Sequence, residues 1–106
     1  MLLGWYNRLS QIPIVGKWIF GILVAYFSPY TGSIGFYVAQ LSSHGCVLEC
    51  RDSLWIRNPF SSVHAAALVN LGEAAGGLAM LARMEELKVR GIVSRLEAVY
   101  YKKVLF

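Results

Sequence analysis

An α+β fold, with a curved antiparallel sheet around one long apolar helix, follows from three observations. The first is residues 63–82, which are rich in alanine, leucine and methionine, all strong helix formers. Their apolar side chains keep to no single stripe, and a helix apolar all round is normally buried on all sides. The second is a pair of β-rich runs, residues 34–41 and 46–55, joined by Ser42, Ser43, His44 and Gly45 as a hairpin connection. The third is residues 90–104, where Ile92, Leu96, Ala98 and Tyr100 share one face and Arg95, Glu97 and Lys103 the other. Strands around one very apolar helix make an α+β layer.

Taken in order, residues 1–27 read as helix. Trp5 and Tyr6 mix with Asn7 and Arg8, Pro13 breaks the pattern, and residues 15–27 resume it as a second apolar helix. This segment suits a cover packed on the core. Its other reading is contact with a membrane surface, with Trp5, Tyr6 and Trp18 at headgroup level beside Arg8 and Lys17. Residues 28–32 are a turn cluster, so residues 1–28 form a helical segment and residues 29–106 the main domain. In the second strand Cys46, Leu48, Cys50 and Leu54 point one way and Val47, Glu49, Arg51, Ser53 and Trp55 the other, with Asp52 interrupting the apolar face. Asn58 and Pro59 end that strand. Ser61 or Ser62 caps the long helix, and Glu85, Glu86 and Lys88 form its polar exit.

Length and composition set the outer bounds. At 106 residues this is at most one small domain. Its hydrophobic fraction of 57% exceeds the usual ~45–50% of soluble domains, and its mean hydropathy is +0.52. A spanning helix needs about 20 apolar residues; residues 18–27 are too few, and residues 63–82 carry His64, Asn70 and Glu73. No small-x-small cleavage site follows Phe27, as a secretory leader requires. Cys46 and Cys50, four residues apart in a strand, stand about 13 Å from each other, beyond disulfide reach. Free thiols suit a reducing cytoplasm. That distance also stops both from sharing a metal with His44 and His64, so no metal and no cofactor is expected. The net charge of +4 gathers only at Lys102 and Lys103, with no basic run interleaved with aromatics, so no nucleic-acid partner is expected.

The chemistry concentrates in Asn58, His64 and Glu73. Glu73 is the only charge between Arg57 and Arg83, and a lone carboxylate in an apolar helix is costly unless paired or neutralised. Gly72, Gly76 and Gly77 beside it weaken the helix by about 1 kcal/mol each relative to alanine, so close approach of another backbone is a better reason for them than helix stability. His64 and Glu73 lie nine residues apart, which on a helix is about 900° and about 13 Å of rise. One chain does not bring both to one small substrate, but two chains about a two-fold axis do. Alone, each residue has an ordinary explanation: a cap for His64, a hydrogen-bonded acid for Glu73, a turn for Asn58.

Together, Asn58, His64 followed by Ala65 and Ala66, and Glu73 resemble the motif of the hotdog-fold acyl-CoA thioesterases, in particular the phenylacetate-pathway type and a related uncharacterised thioesterase-like group. The similarity covers roughly residues 29–104. It implies a sheet wrapped around a central helix, a homodimer, and an acyl-CoA or other acyl-thioester substrate. It implies a thioester carbonyl held near the backbone of Ala65 and Ala66, Glu73 of the second chain as general base or nucleophile, and Asn58 and His64 completing the catalytic set. A helix N-terminus suits a developing oxyanion, and a carboxylate in an apolar wall makes a better base near neutral pH. The sequence departs from the motif in alanines for its usual glycines, and in glutamate where aspartate is common. Family members continue past the third strand with two or three more strands, which lie in the sheet between the first hairpin and that third strand. A chain ending at Phe106 therefore reads as a hotdog domain lacking its last strands, either a hydrolase or a non-catalytic acyl-binding, oligomerisation or membrane-associated module.

Overall fold

The structure, a computed structural model, describes residues 2–51 and 53–104. Helices α1 (Leu2–Ser10) and α2 (Gly16–Phe27) open the chain, and the break between them falls at Pro13, whose ring blocks a continuous helix. The two meet at Gly16. A Cβ on Gly16 would lie 1.6 Å from the Leu9 carbonyl oxygen and 2.7 Å from its carbon, and backbone does not yield as a side-chain end does. Gly16→Ala is therefore expected to destabilise the fold by about 1–3 kcal/mol through overpacking. Gly72→Ala and Gly76→Ala, where a Cβ meets nothing within 4 Å, are expected to stabilise the isolated chain by about 1 kcal/mol each. Urea denaturation of the three variants checks the contrast in sign.

The turn cluster becomes a single helical turn, α3 (Pro29–Gly32), with proline in the first turn, where its missing N–H costs nothing. A hairpin follows: β1 (Phe36–Ser42) and β2 (Gly45–Cys50) pair antiparallel. The pairing runs Val38 to Leu48 and then Gln40 to Val47, leaving Ala39 as an extra residue. This bulge shifts the alternation, so the buried positions of β1 are Phe36, Val38 and Leu41. It also takes the Ala39 carbonyl out of the ladder. The Tyr6 hydroxyl and the Lys17 ammonium both donate to that oxygen at 2.8 Å. In β2, Cys46, Leu48 and Cys50 turn toward the core while Val47 and Glu49 face solvent.

Expectation and structure part at the end of this strand. β2 stops at Cys50, and Leu54–Ile56 forms a 3₁₀ turn whose Trp55 N–H is held by Ser53 Oγ at 3.1 Å. The alternation through residue 55 has no neighbouring strand to read it, so Leu54 and Trp55 are exposed. Asp52 lies outside the described residues.

The long helix, α4, runs Ala65–Leu87. It starts later than the serines suggest because residues 57–63 are drawn into a loop closed by an Arg57–Val63 bridge, so His64 is the cap. It also runs past residue 82, because residues 83–87 (RMEEL) are good helix formers and Arg83 pairs with Glu86 at 3.0 Å. Lys88, in the left-handed region at φ 56°, ends it.

α4 is buried along one stripe only: Asn70, Ala74, Leu78 and Ala82. Leu78 and Ala82 join Tyr6, Phe20, Ile34, Phe36, Val38, Leu41 and Ile56 in the core. Two strands cover one side of a helix, so burial all round is not achieved. Residues 89–104 form no strand. After Lys88 the chain passes back to the start of α4, where Tyr100 OH donates to the Ala65 carbonyl at 3.0 Å and Val63 N–H to the Val104 carbonyl at 2.9 Å. Alternation stabilises a strand only beside a partner, and residues 89–104 have no ladder among the described residues. The architecture is α+β, a two-stranded antiparallel sheet on a long apolar helix, compatible with part of a hotdog fold.

Candidate functional site

The start of α4 gathers four of the five residues singled out by sequence. Asn58 organises the loop before it: its Oδ1 accepts from Phe60 N–H at 2.9 Å, Ser62 N–H at 3.2 Å and Ser62 Oγ at 3.0 Å. Its own N–H donates to the Ser62 carbonyl at 2.9 Å. This oxygen has three donors and little capacity left for a substrate. Asn58→Ala is expected to cost about 1–3 kcal/mol of stability, since Ser62 is buried and loses its acceptor. Thermal denaturation beside Asn58→Asp, which keeps the acceptor, checks this.

His64 caps the helix through Nδ1, which accepts from Ala66 N–H at 3.1 Å. An Nδ1 that accepts leaves the proton of a neutral ring on Nε2, facing outward from the cap. The cap occupies one of the two N–H groups proposed by sequence. The other, on Ala65, has no acceptor among the described residues. It is the free donor at the positive end of a 23-residue helix dipole.

Two open hollows flank this end of α4. One, of about 350 Å³, lies among Asn58, Val63, Ala65, Leu68, Tyr100 and Lys102. The other, of about 340 Å³, lies among Tyr30, Ile34, Trp55, His64, Ala66 and Asn70. Asn70, in the middle of an apolar helix, is explained here: its Nδ2 donates to the Tyr30 carbonyl at 3.3 Å and ties α4 to α3. Its position in the sequence gave no hint of this, because α3 supplies the partner.

Glu73 stands apart, two and a half turns along α4 from His64. It is half-buried, outside the buried stripe, and its carboxylate has no hydrogen bond or ion pair among the described residues. The apolar enclosure expected around it is not built by the described residues, because the buried stripe facing the two strands lies elsewhere on the helix. Gly72 and Gly76, close to it on the helix surface, face open space.

The cysteines offer no activated nucleophile. Burial pushes the Cys46 thiol up to about 11 and the Cys50 thiol upward as well, the reverse of what a reactive thiolate needs. At the far end of α4, the Leu2 N–H donates to both Glu85 oxygens at 2.9 Å and holds that carboxyl below its ordinary range. This contact ties α1 to α4 and is remote from the helix start.

A long helix on an antiparallel hairpin is compatible with part of the fold of the thioesterase-like hotdog class. The chain belongs to the family described as a domain of unknown function, DUF4442, which stands in that class and matches residues 16–105. The match begins at the first residue of α2, whose Phe20 lies in the same core as the hairpin. No curated protein and no solved structure matches the chain.

Proposed function

We propose that this protein is an acyl-CoA thioesterase-like protein acting as a homodimer on acyl thioesters. The observation that carries the reading is the free Ala65 N–H at the start of α4, beside a hollow of about 350 Å³. A thioester carbonyl placed there directs its oxygen at a preorganised donor where negative charge develops. Glu73 of a second copy supplies the base. It takes a proton from water as the water oxygen attacks the carbonyl carbon; the C–S bond then breaks and the thiol leaves with a proton, giving a carboxylic acid and free coenzyme A. The unpacked Gly72 and Gly76 beside Glu73 are the surface on which that copy approaches.

A second reading has its own support. The Asn58 oxygen is committed to its loop and the Ala66 N–H to His64, which favours a non-catalytic module that binds acyl groups or a second chain. Incubation with acyl-CoA esters of short, long and aromatic acyl groups, with thiol release followed by a chromogenic disulfide, separates the two. Turnover supports the hydrolase, and saturable binding by calorimetry without turnover supports the module. Light scattering in the same buffer tests the dimer; a monomer of 11.8 kDa that hydrolyses the esters would remove the second chain from the site.

A further inference from the structure

The outward face of α2 is a continuous apolar ridge with no partner among the described residues. Gly16, Phe20 and Gly21 turn inward and are buried. The opposite side shows Ile19, Ile22, Leu23, Tyr26 and Phe27, with Ile22 66%, Tyr26 77% and Phe27 83% exposed. Ile14, 89% exposed, extends the ridge into the turn before α2. Single exposed apolar residues are ordinary, but a contiguous row marks an interaction surface.

The charge around the ridge names the occupant. The sequence has no aspartate or glutamate before Glu49, while exposed Arg8 falls within that stretch; Lys17 is turned inward to the Ala39 carbonyl. Trp18 borders the ridge, stands on Tyr37 with ring centroids 4.9 Å apart, and carries the Arg51 guanidinium 5.2 Å above its ring. This fixes an amphipathic indole and a cation together beside the apolar row. Aromatic rings and cations flanking an apolar face are the arrangement of helices that lie in the bilayer interface. A second copy docked on the same ridge would offer these cations no carboxylate from its own α1 or α2. A surface of anionic phospholipid offers phosphates.

We propose that α2 seats this protein flat on an anionic phospholipid bilayer, with Ile14, Ile22, Tyr26 and Phe27 in the acyl-headgroup boundary and Arg51 at headgroup level. The helix lies in the plane rather than crossing. Its 12 residues reach about 18 Å against a hydrocarbon core of about 30 Å, and its inner face belongs to the protein core. α4 is long and apolar enough to cross a membrane, but its Ala74, Leu78 and Ala82 are packed within the fold. The proposal is independent of the thioester reading.

The test is flotation of the full chain, synthesised in a cell-free system with vesicles present. Vesicles of phosphatidylcholine with about 30% phosphatidylglycerol, chosen to give a negative surface potential, should carry the chain to the top of the gradient. Phosphatidylcholine alone should carry several-fold less, and alkaline carbonate should strip it. Ile22→Glu should cut the bound fraction by about tenfold or more, since it places a charge in the buried face. Leu87→Glu, an equal change on α4, should leave binding as it was. Failure to float with either vesicle, equal flotation of wild type and Ile22→Glu, equal loss in Leu87→Glu, or retention after carbonate would each overturn the proposal. So would a soluble dimer that Ile22→Glu splits without any vesicle binding, which would give the ridge to a second copy.

Discussion

Glu73→Gln is expected to lower acyl-thioester hydrolysis by about 100-fold or more, the usual scale for losing a general base. The amide keeps the size and polarity of the carboxylate, so half-buried Glu73, with no structural partner among the described residues, is replaced without disturbing the fold. Only its capacity to take a proton is removed. The complementary change is Ala65→Pro, which deletes the free N–H at a helix position where proline already fits the backbone. Because the start of α4 and Glu73 lie on opposite faces, about 13 Å apart along the axis, the proposed site draws one from each chain. Two inactive variants mixed one to one should then recover roughly a quarter of wild-type activity, since half the dimers are mixed and each mixed dimer has one intact site. Wild-type turnover by Glu73→Gln, or no recovery on mixing, would remove Glu73 or the shared site.

Phe20→Ala is expected to have the largest effect on stability, about 3–5 kcal/mol, as for other buried phenylalanines cut to alanine. Phe20 is buried and meets Tyr6 edge-on with ring centroids 5.0 Å apart. Tyr6 in turn donates to the carbonyl that the β1 bulge leaves unpaired. Removing the ring opens a cavity where α1, α2 and β1 converge. A domain of this size holds only about 5–15 kcal/mol in all, and a loss of 3 kcal/mol lowers its melting temperature by more than about 12 °C. Tyr6→Phe keeps both rings and removes one hydroxyl, so it should cost about 1 kcal/mol. A melting temperature for Phe20→Ala within a few degrees of wild type would contradict this packing.

Much of the fold is legible in the sequence because it depends on local chemistry. Pro13 separates the first two helices, the alternation of Cys46, Leu48 and Cys50 describes their strand, and the alanine-rich run announces α4. The spacing of Asn58, His64 and Glu73 is likewise a property of the sequence, and it points to the class that the family match supports. Tertiary structure alone decided the remainder. Whether residues 90–104 form a strand depends on a free sheet edge reaching them, and the chain instead returns along α4 to its start. Whether Ser61, Ser62 or His64 caps the helix depends on the Asn58 loop, which claims the Ser62 hydroxyl first. The surroundings of Glu73 depend on how many strands cover α4, and two strands leave it half-buried beside open glycines. Sequence determines which groups a segment carries, whereas packing determines which of them meet, because burial and hydrogen bonding are settled only by neighbours distant along the chain.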